Sequence, residues 1–135
     1  MKKIEHIGIA VKDLEISNKV FESLFGEPHY KTELVESEHV ITSFFRSGPN
    51  KIELLQATDS KSPIAKFIEK SGEGIHHIAF AVDDIEKEII RLKKRGFNLI
   101  NETPKKGADN KLVAFLHPKS TNGVLIELCQ EISNC

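Results

Sequence analysis

Only two cysteines occur in the 135 residues, Cys129 and Cys135, and they stand too close together to form a disulfide framework or a zinc site. Cys129 lies inside an apolar run and reads as a small core residue. An excess of charge is missing too. The net charge of -1 gives no basis for general nucleic-acid or membrane-surface binding. No apolar run approaches the ~20 residues that a membrane span needs. The N-terminus, Met1-Lys2-Lys3-Ile4, passes at once into strand-like sequence, so no signal or transit peptide is expected and the expected compartment is the cytoplasm. What remains is one soluble domain over residues 1–135, large enough for a real core, with charged residues at 29% and hydrophobic ones at 39%.

What is present is one module written twice. His6 opens His-Ile-Gly-Ile-Ala-Val-Lys-Asp-Leu and His77 opens His-Ile-Ala-Phe-Ala-Val-Asp-Asp-Ile, 71 positions further on. Each half later reaches an Ile-Glu-Leu segment, at Glu53 and at Glu127, 74 positions apart. In the first half, residues 5–11 alternate as a strand and Asp13 caps a helix that stops at Gly26-Glu27-Pro28. Strands over 30–36, 39–46 and 51–57 follow, with turns near Ser37-Glu38 and at Ser47-Gly48-Pro49-Asn50. Ser62-Pro63 starts a short helix ending at Gly72. The second half repeats the order: a strand over 76–82, a helix capped by Asp83-Asp84 and stopped at Gly96, then strands near 98–103, 111–117 and 123–130. Turns are expected at Lys106-Gly107-Ala108-Asp109 and Ser120-Thr121-Asn122-Gly123. The expected fold is therefore α+β, βαβββ twice: module one about 4–58, a linker helix about 62–72, module two about 75–131. Neither half can bury its sheet face alone, so pairing of the two is expected.

In both opening strands the histidine shares its face with small residues only, Gly8 and Ala10 in one copy, Ala79 and Ala81 in the other. Such a face leaves a hollow. Glu53 and Glu127 sit on apolar strands, where a lone carboxylate is costly to desolvate unless it is paired or bound to a cation. A single strand histidine is usually a hydrogen-bonded structural residue, and a single strand glutamate usually faces solvent. Recurrence of both types at matching positions in both copies points instead to one divalent metal held by His6, Glu53, His77 and Glu127. Imidazole and carboxylate ligands suit Zn, Co, Ni, Mn or Fe(II), and four protein ligands leave positions open on an octahedral ion. His76 falls on the opposite strand face and reads as structural.

With these residues in view, the sequence resembles the vicinal oxygen chelate (glyoxalase-like) superfamily over about residues 4–131, and within it the methylmalonyl-CoA epimerases. The stretches that carry the likeness are His6 to Val11, Ile52-Glu53-Leu54-Leu55, Ser62-Pro63-Ile64-Ala65-Lys66-Phe67, Gly74 to Ile78, and above all Phe115-Leu116-His117-Pro118-Lys119-Ser120-Thr121-Asn122-Gly123-Val124-Leu125-Ile126-Glu127-Leu128. The resemblance implies paired βαβββ modules forming a cupped mixed sheet around one metal. It implies His6, Glu53, His77 and Glu127 as ligands, and an acyl-CoA epimerised at C2. That reaction removes a proton between a thioester and a carboxylate and returns one to the opposite face. A chelated cation stabilises the enolate, and two acid/base groups are needed, each contributing ~10²–10⁴-fold. One is Glu127. The family's other glutamate falls on Ser37 by gapless counting, between Glu36 and Glu38, and Glu38 is preferred.

For the coenzyme, Lys105, Lys106, Lys111 and Lys119 are candidate phosphate partners. Lys119-Ser120-Thr121 is the preferred segment, because it opens a turn whose amides could meet the acyl carboxylate or thioester. His117 either lines the pocket or anchors that turn. The resemblance also implies a homodimer. Two other activities share the fold: a glyoxalase I-type lactoylglutathione lyase, disfavoured by the His-Pro-Lys-Ser-Thr-Asn-Gly loop, and a non-catalytic small-molecule binder, disfavoured by four intact ligands.

Overall fold

The computed structural model describes residues 1–132; Cys135 lies outside them. The chain runs β1 (Lys3–Ala10), α1 (Leu14–Phe25), β2 (Lys31–Val35), β3 (Val40–Ser47), β4 (Asn50–Ala57), α2 (Pro63–Ser71), β5 (Gly74–Ala81), α3 (Ile85–Lys94), β6 (Lys105–Lys106), β7 (Lys111–Leu116) and β8 (Ile126–Glu131). The α+β order βαβββ thus occurs twice, with a helix after the first copy. Two compact units result, one from His6–His76 and one from Met1–Glu5 with the chain from His77 onward. Among the described residues no helix is long and apolar enough to cross a membrane.

In the first unit the strand order is β2-β3-β4-β1, with β1 and β4 parallel and the other neighbours antiparallel. Asp13 caps α1 by accepting the Ile16 amide at 3.1 Å, and left-handed Gly26 (φ 77°) ends it, a conformation that glycine adopts without a Cβ penalty. Leu14, Phe21 and Phe25 of α1 pack on Ile9, Ile41, Phe45, Ile52 and Leu54. The opposite sheet face holds Ala10, Val40 and Leu55 against Ile64, Phe67 and Ile68 of α2. The expected linker helix is therefore part of this unit's core. It begins as predicted, with the Ser62 hydroxyl accepting the Ile64 amide at 3.1 Å and Pro63 in the first turn. His76 and Phe67 form a T-shaped ring pair, centroids 5.1 Å apart, which suits the structural role expected of His76.

In the second unit the order is β5-β8-β7-β6, with β5 and β8 parallel. Asp84 caps α3 by accepting the Lys87 amide at 3.2 Å. Ile85, Ile89 and Leu92 pack on Val82, Ala114, Leu116 and Leu128. The first residues of the chain join this unit through the Lys2 amide, which donates to the Ala81 carbonyl at 2.8 Å, and through a 2.8 Å ion pair between Lys2 and Asp83. That Asp83 hydrogen bond raises the Lys2 ammonium above the usual lysine range.

Two expectations fail here. The strand predicted over 98–103 is reduced to a single bridge, Leu99 to Leu116. Asn101 is the reason: its side-chain oxygen accepts the Phe115 amide at 3.0 Å, occupying the donor that a continuing strand would use, and Pro104 has no amide to offer. The two-residue β6 forms instead at Lys105-Lys106, at the start of the predicted turn. Gly107 follows, where any Cβ would stand 3.0 Å from a Val113 methyl. The last strand also starts later than predicted, at Ile126, because Asn122 (φ 57°) and Gly123 (φ 85°) are both left-handed.

One device appears in both units. The first amide of α1, on Leu14, donates to the Gln56 side chain at 2.6 Å, and the first amide of α3, on Ile85, donates to Gln130 at 2.8 Å. A helix leaves its first amides without intrahelical partners, so each glutamine ties a helix start to its own sheet. Gln56→Ala and Gln130→Ala should each destabilise the protein by about 1–2 kcal/mol in urea titration, with Gln→Glu milder than Gln→Ala, since a carboxylate still accepts.

Candidate functional site

The parallel registers of the two units are the same. In the first, Gly8 lies opposite Glu53; in the second, Ala79 lies opposite Glu127. Each histidine is two positions before that small residue, so His6 and Glu53, and likewise His77 and Glu127, share a face and meet diagonally across a residue too small to part them. Nδ1 of His6 lies 3.1 Å from Oε2 of Glu53, and Nε2 of His77 lies 3.0 Å from Oε1 of Glu127. All four side chains are buried. A buried carboxylate needs a compensating partner, and each glutamate has an imidazole beside it.

The donor spacing fits a divalent cation. Two ligand atoms bound at about 2.1 Å and at right angles stand about 3.0 Å apart, so each imidazole–carboxylate pair already has the edge length of an octahedral ion. The same separation serves an N–H···O hydrogen bond when no ion is bound. The pairs thus need little rearrangement to become ligands.

The second unit adds features that sequence reading missed. The Cys129 thiol donates to Oε2 of Glu127 at 3.5 Å, so the two oxygens of this carboxylate face different partners. Cys129 packs with Ala79, Val113 and Phe115, and the buried cysteine expected from the sequence is found. It also lines a cavity of about 550 Å³ with Ala81, Lys3, Lys111 and Glu5, among others. Glu5 is buried, although strict alternation along β1 assigns it to the face of Ile7 and Ile9; nothing in the sequence marks it as different. The Phe115 and His77 rings meet in a T-shaped arrangement, centroids 5.8 Å apart.

Glu38 belongs to the connection between β2 and β3. It ends a single 3-10 turn, Glu36–Glu38, that precedes β3. The residue opposite Glu53 is Phe44, and Val40 already lies four strand positions away, roughly 13 Å along the ladder. No bulge shortens this path. Left-handed His39 (φ 54°) takes up the extra residues instead, and its ring lies 2.9 Å from Asp59, fixing the turn beyond the end of β4. Glu36 is exposed and Glu38 half-buried.

The loop over 117–124 is also more self-contained than expected. The amides of Ser120, Thr121, Gly123 and Val124 bond to carbonyls inside the loop, and the Lys119 amide donates to His117 Nδ1 at 3.1 Å. His117 therefore anchors the turn. The Thr121 hydroxyl donates to the Val124 carbonyl at 2.5 Å, and the Ser120 hydroxyl accepts the Asn98 amide at 2.9 Å. The Lys119 side chain is exposed, whereas Lys111 is buried and paired with Glu131 at 3.2 Å.

The family described as the glyoxalase/bleomycin resistance protein/dioxygenase superfamily matches residues 5–115. The chain is 42% identical over 131 residues to an ethylmalonyl-CoA/methylmalonyl-CoA epimerase of Cereibacter sphaeroides, covering 95% of this chain and 97% of that one. A crystal structure of methylmalonyl-CoA epimerase from Mycobacterium tuberculosis superposes with a TM-score of 0.92 at 32% identity, over 97% of this chain and 89% of that one. A methylmalonyl-CoA epimerase in complex with methylmalonyl-CoA and NH4+ gives the same TM-score at 29% identity, over 98% and 96% of the two chains.

The loop geometry separates two roles that the sequence merges. Thr121→Val should lower stability by about 1 kcal/mol in urea titration, and Lys119→Ala, whose side chain takes no part in the turn, should leave it unchanged.

Proposed function

Since the chain belongs to the glyoxalase/bleomycin resistance protein/dioxygenase superfamily, we propose that it is a metal-dependent methylmalonyl-CoA epimerase, acting on an acyl-CoA by proton transfer at C2. The observation that carries this reading is the doubled pair: two buried imidazole–carboxylate contacts, at 3.1 and 3.0 Å, in identical strand registers. His6, Glu53, His77 and Glu127 would together hold one ion, from among Co, Ni, Zn, Mn and Fe(II). When bound, a divalent ion supplies Lewis-acid stabilisation of the negative charge that develops on the acyl oxygens.

The chain's own residues do the rest. Glu127 takes the C2 proton of one epimer onto its carboxylate, and gives one back when the reaction runs the other way. Its buried setting excludes bulk water from the proton it holds. For the opposite face the chain offers Glu38, at the end of the turn that precedes β3. Lys119, exposed beside the anchored loop, meets coenzyme phosphate as a point charge. Ser120 and Thr121 shape that loop, their hydroxyls engaged within the protein. A cytoplasmic homodimer completes the reading.

Purified protein incubated with methylmalonyl-CoA in deuterated water should incorporate deuterium at C2 and interconvert the epimers. Formation of lactoylglutathione from the hemithioacetal instead would make it a glyoxalase, and tight retention of either compound without turnover would make it a binder. Metal analysis should find one ion per chain in the wild type, and none in either His6→Ala or His77→Ala, with both variants folded. Two ions per chain, or full metal content in either variant, would overturn the shared site. Glu38→Gln should keep its metal and lose C2 exchange by ~10²–10⁴-fold; exchange near the wild-type rate would move the second role to another group.

A further inference from the structure

The two halves match at the proposed ligands but differ immediately beside them. Two residues after Glu127 comes Cys129; two residues after Glu53 comes Leu55. Both side chains are buried on the face that carries the glutamate. Leucine has no hydrogen to donate, whereas the Cys129 thiol donates to Oε2 of Glu127 at 3.5 Å while Oε1 stays 3.0 Å from His77. Cys129 also lines the cavity that Ala81, Lys3 and Lys111 line.

We propose that Cys129 is a positioning residue for the proton transfer at C2, its thiol fixing the rotation of the Glu127 carboxylate so that Oε1 stays toward His77 while Oε2 presents a lone pair to the substrate. This rests on the reading of Glu127 as one of the two acid/base groups. An ionised carboxylate oxygen has two lone-pair sites, so one can accept from sulfur and the other can take the C2 proton. Without the thiol the group turns about its terminal torsion, a broad and soft coordinate for glutamate. The packing of Cys129 among Ala79, Val113 and Phe115 holds the sulfur itself in place. No bond is made or broken at sulfur.

Glu127 serves only one face of C2. Loss of its orientation therefore affects the epimer whose hydrogen it removes, while a general packing defect slows both. The test compares wild type, Cys129→Ala and Cys129→Ser, which differ at one atom, in metal-loaded form. Initial exchange of the C2 hydrogen with solvent deuterium is followed separately for the two epimers of methylmalonyl-CoA, before inversion accumulates. Cys129→Ala should slow exchange of one epimer about tenfold and the other by less than about twofold; Cys129→Ser should restore the slow epimer to within about threefold of wild type. Equal slowing of both epimers, or a serine variant no better than alanine, overturns the proposal. A wild type that exchanges neither epimer overturns the epimerase reading itself, a separate and recognisable result.

A second readout needs no activity and no variant of Cys129. In metal-free protein carrying Cys135→Ser, the infrared S–H stretch of Cys129 should lie below that of a free thiol and move to the free position in Glu127→Ala. A free-thiol frequency in the presence of Glu127 overturns the proposal.

Discussion

The contact between a buried imidazole and a buried carboxylate, made once in each unit, is the constraint around which the rest is arranged. A carboxylate at 4–6% exposure is tolerated only with a partner, and removing one member of such a pair typically costs about 3–5 kcal/mol. The contact fixes local composition. Gly8 and Ala79 stand directly opposite the glutamates, where a larger side chain would push imidazole and carboxylate apart. It fixes local topology as well. Histidine and glutamate sit on strands that run parallel, so a helix must cross between the ends of the paired strands, and α1 and α3 begin just beyond β1 and β5. Gln56 and Gln130 then hold the first turn of those helices to β4 and β8, the strands that carry Glu53 and Glu127. Stability and site geometry thus share the same two strands in each unit.

Much of this was legible because it depends on local chemistry. Asp13, Ser62 and Asp84 announce helix starts through their own side-chain hydrogen bonds, and each accepts the amide expected of an N-cap. The alternation of small and large residues after His6 and His77 told which residues share a face with each histidine, because strand period is a property of the backbone. The repeat also brought together the two histidines and two glutamates that the structure pairs, His6 with Glu53 and His77 with Glu127. The same repeat also contained the glutamine device, since Gln56 and Gln130 are separated by the interval that separates Glu53 and Glu127; the signal was present and unread.

What escaped depends on partners distant in sequence or on small departures from regularity. Residues 98–103 have a strand's composition, yet Asn101 spends its side chain on the Phe115 amide and stops the ladder. Glu5 is buried although its place in the alternation puts it with Ile7 and Ile9, which no periodicity records. The position of Glu38 turned on whether the strand before Glu53 carries a bulge or the turn absorbs the extra residue. His39 answers that by taking the left-handed conformation, uncommon for a residue with a Cβ. Sequence counting could place Glu38 next to His39 but not assign the φ angle.

A duplicated module offers a cation equivalent ligands from both halves, and coordination asks for nothing more than that. Moving a proton from one face of a carbon to the other asks for inequality, because the groups serving the two faces must reach it from different directions. The halves diverge most where that inequality is needed. In the first, the residue after the glutamate on the same face is Leu55, which joins an apolar cluster with Ile64 of α2. In the second it is Cys129, which turns to the glutamate and opens onto a cavity. The outer strands diverge too: β2 runs five residues beside β3, whereas β6 keeps only two beside β7. Divergence at these places leaves the imidazole–carboxylate registers unchanged. The surroundings of Glu53 and Glu127 are thus unequal within equal registers: an apolar neighbour two residues after one, a thiol two residues after the other.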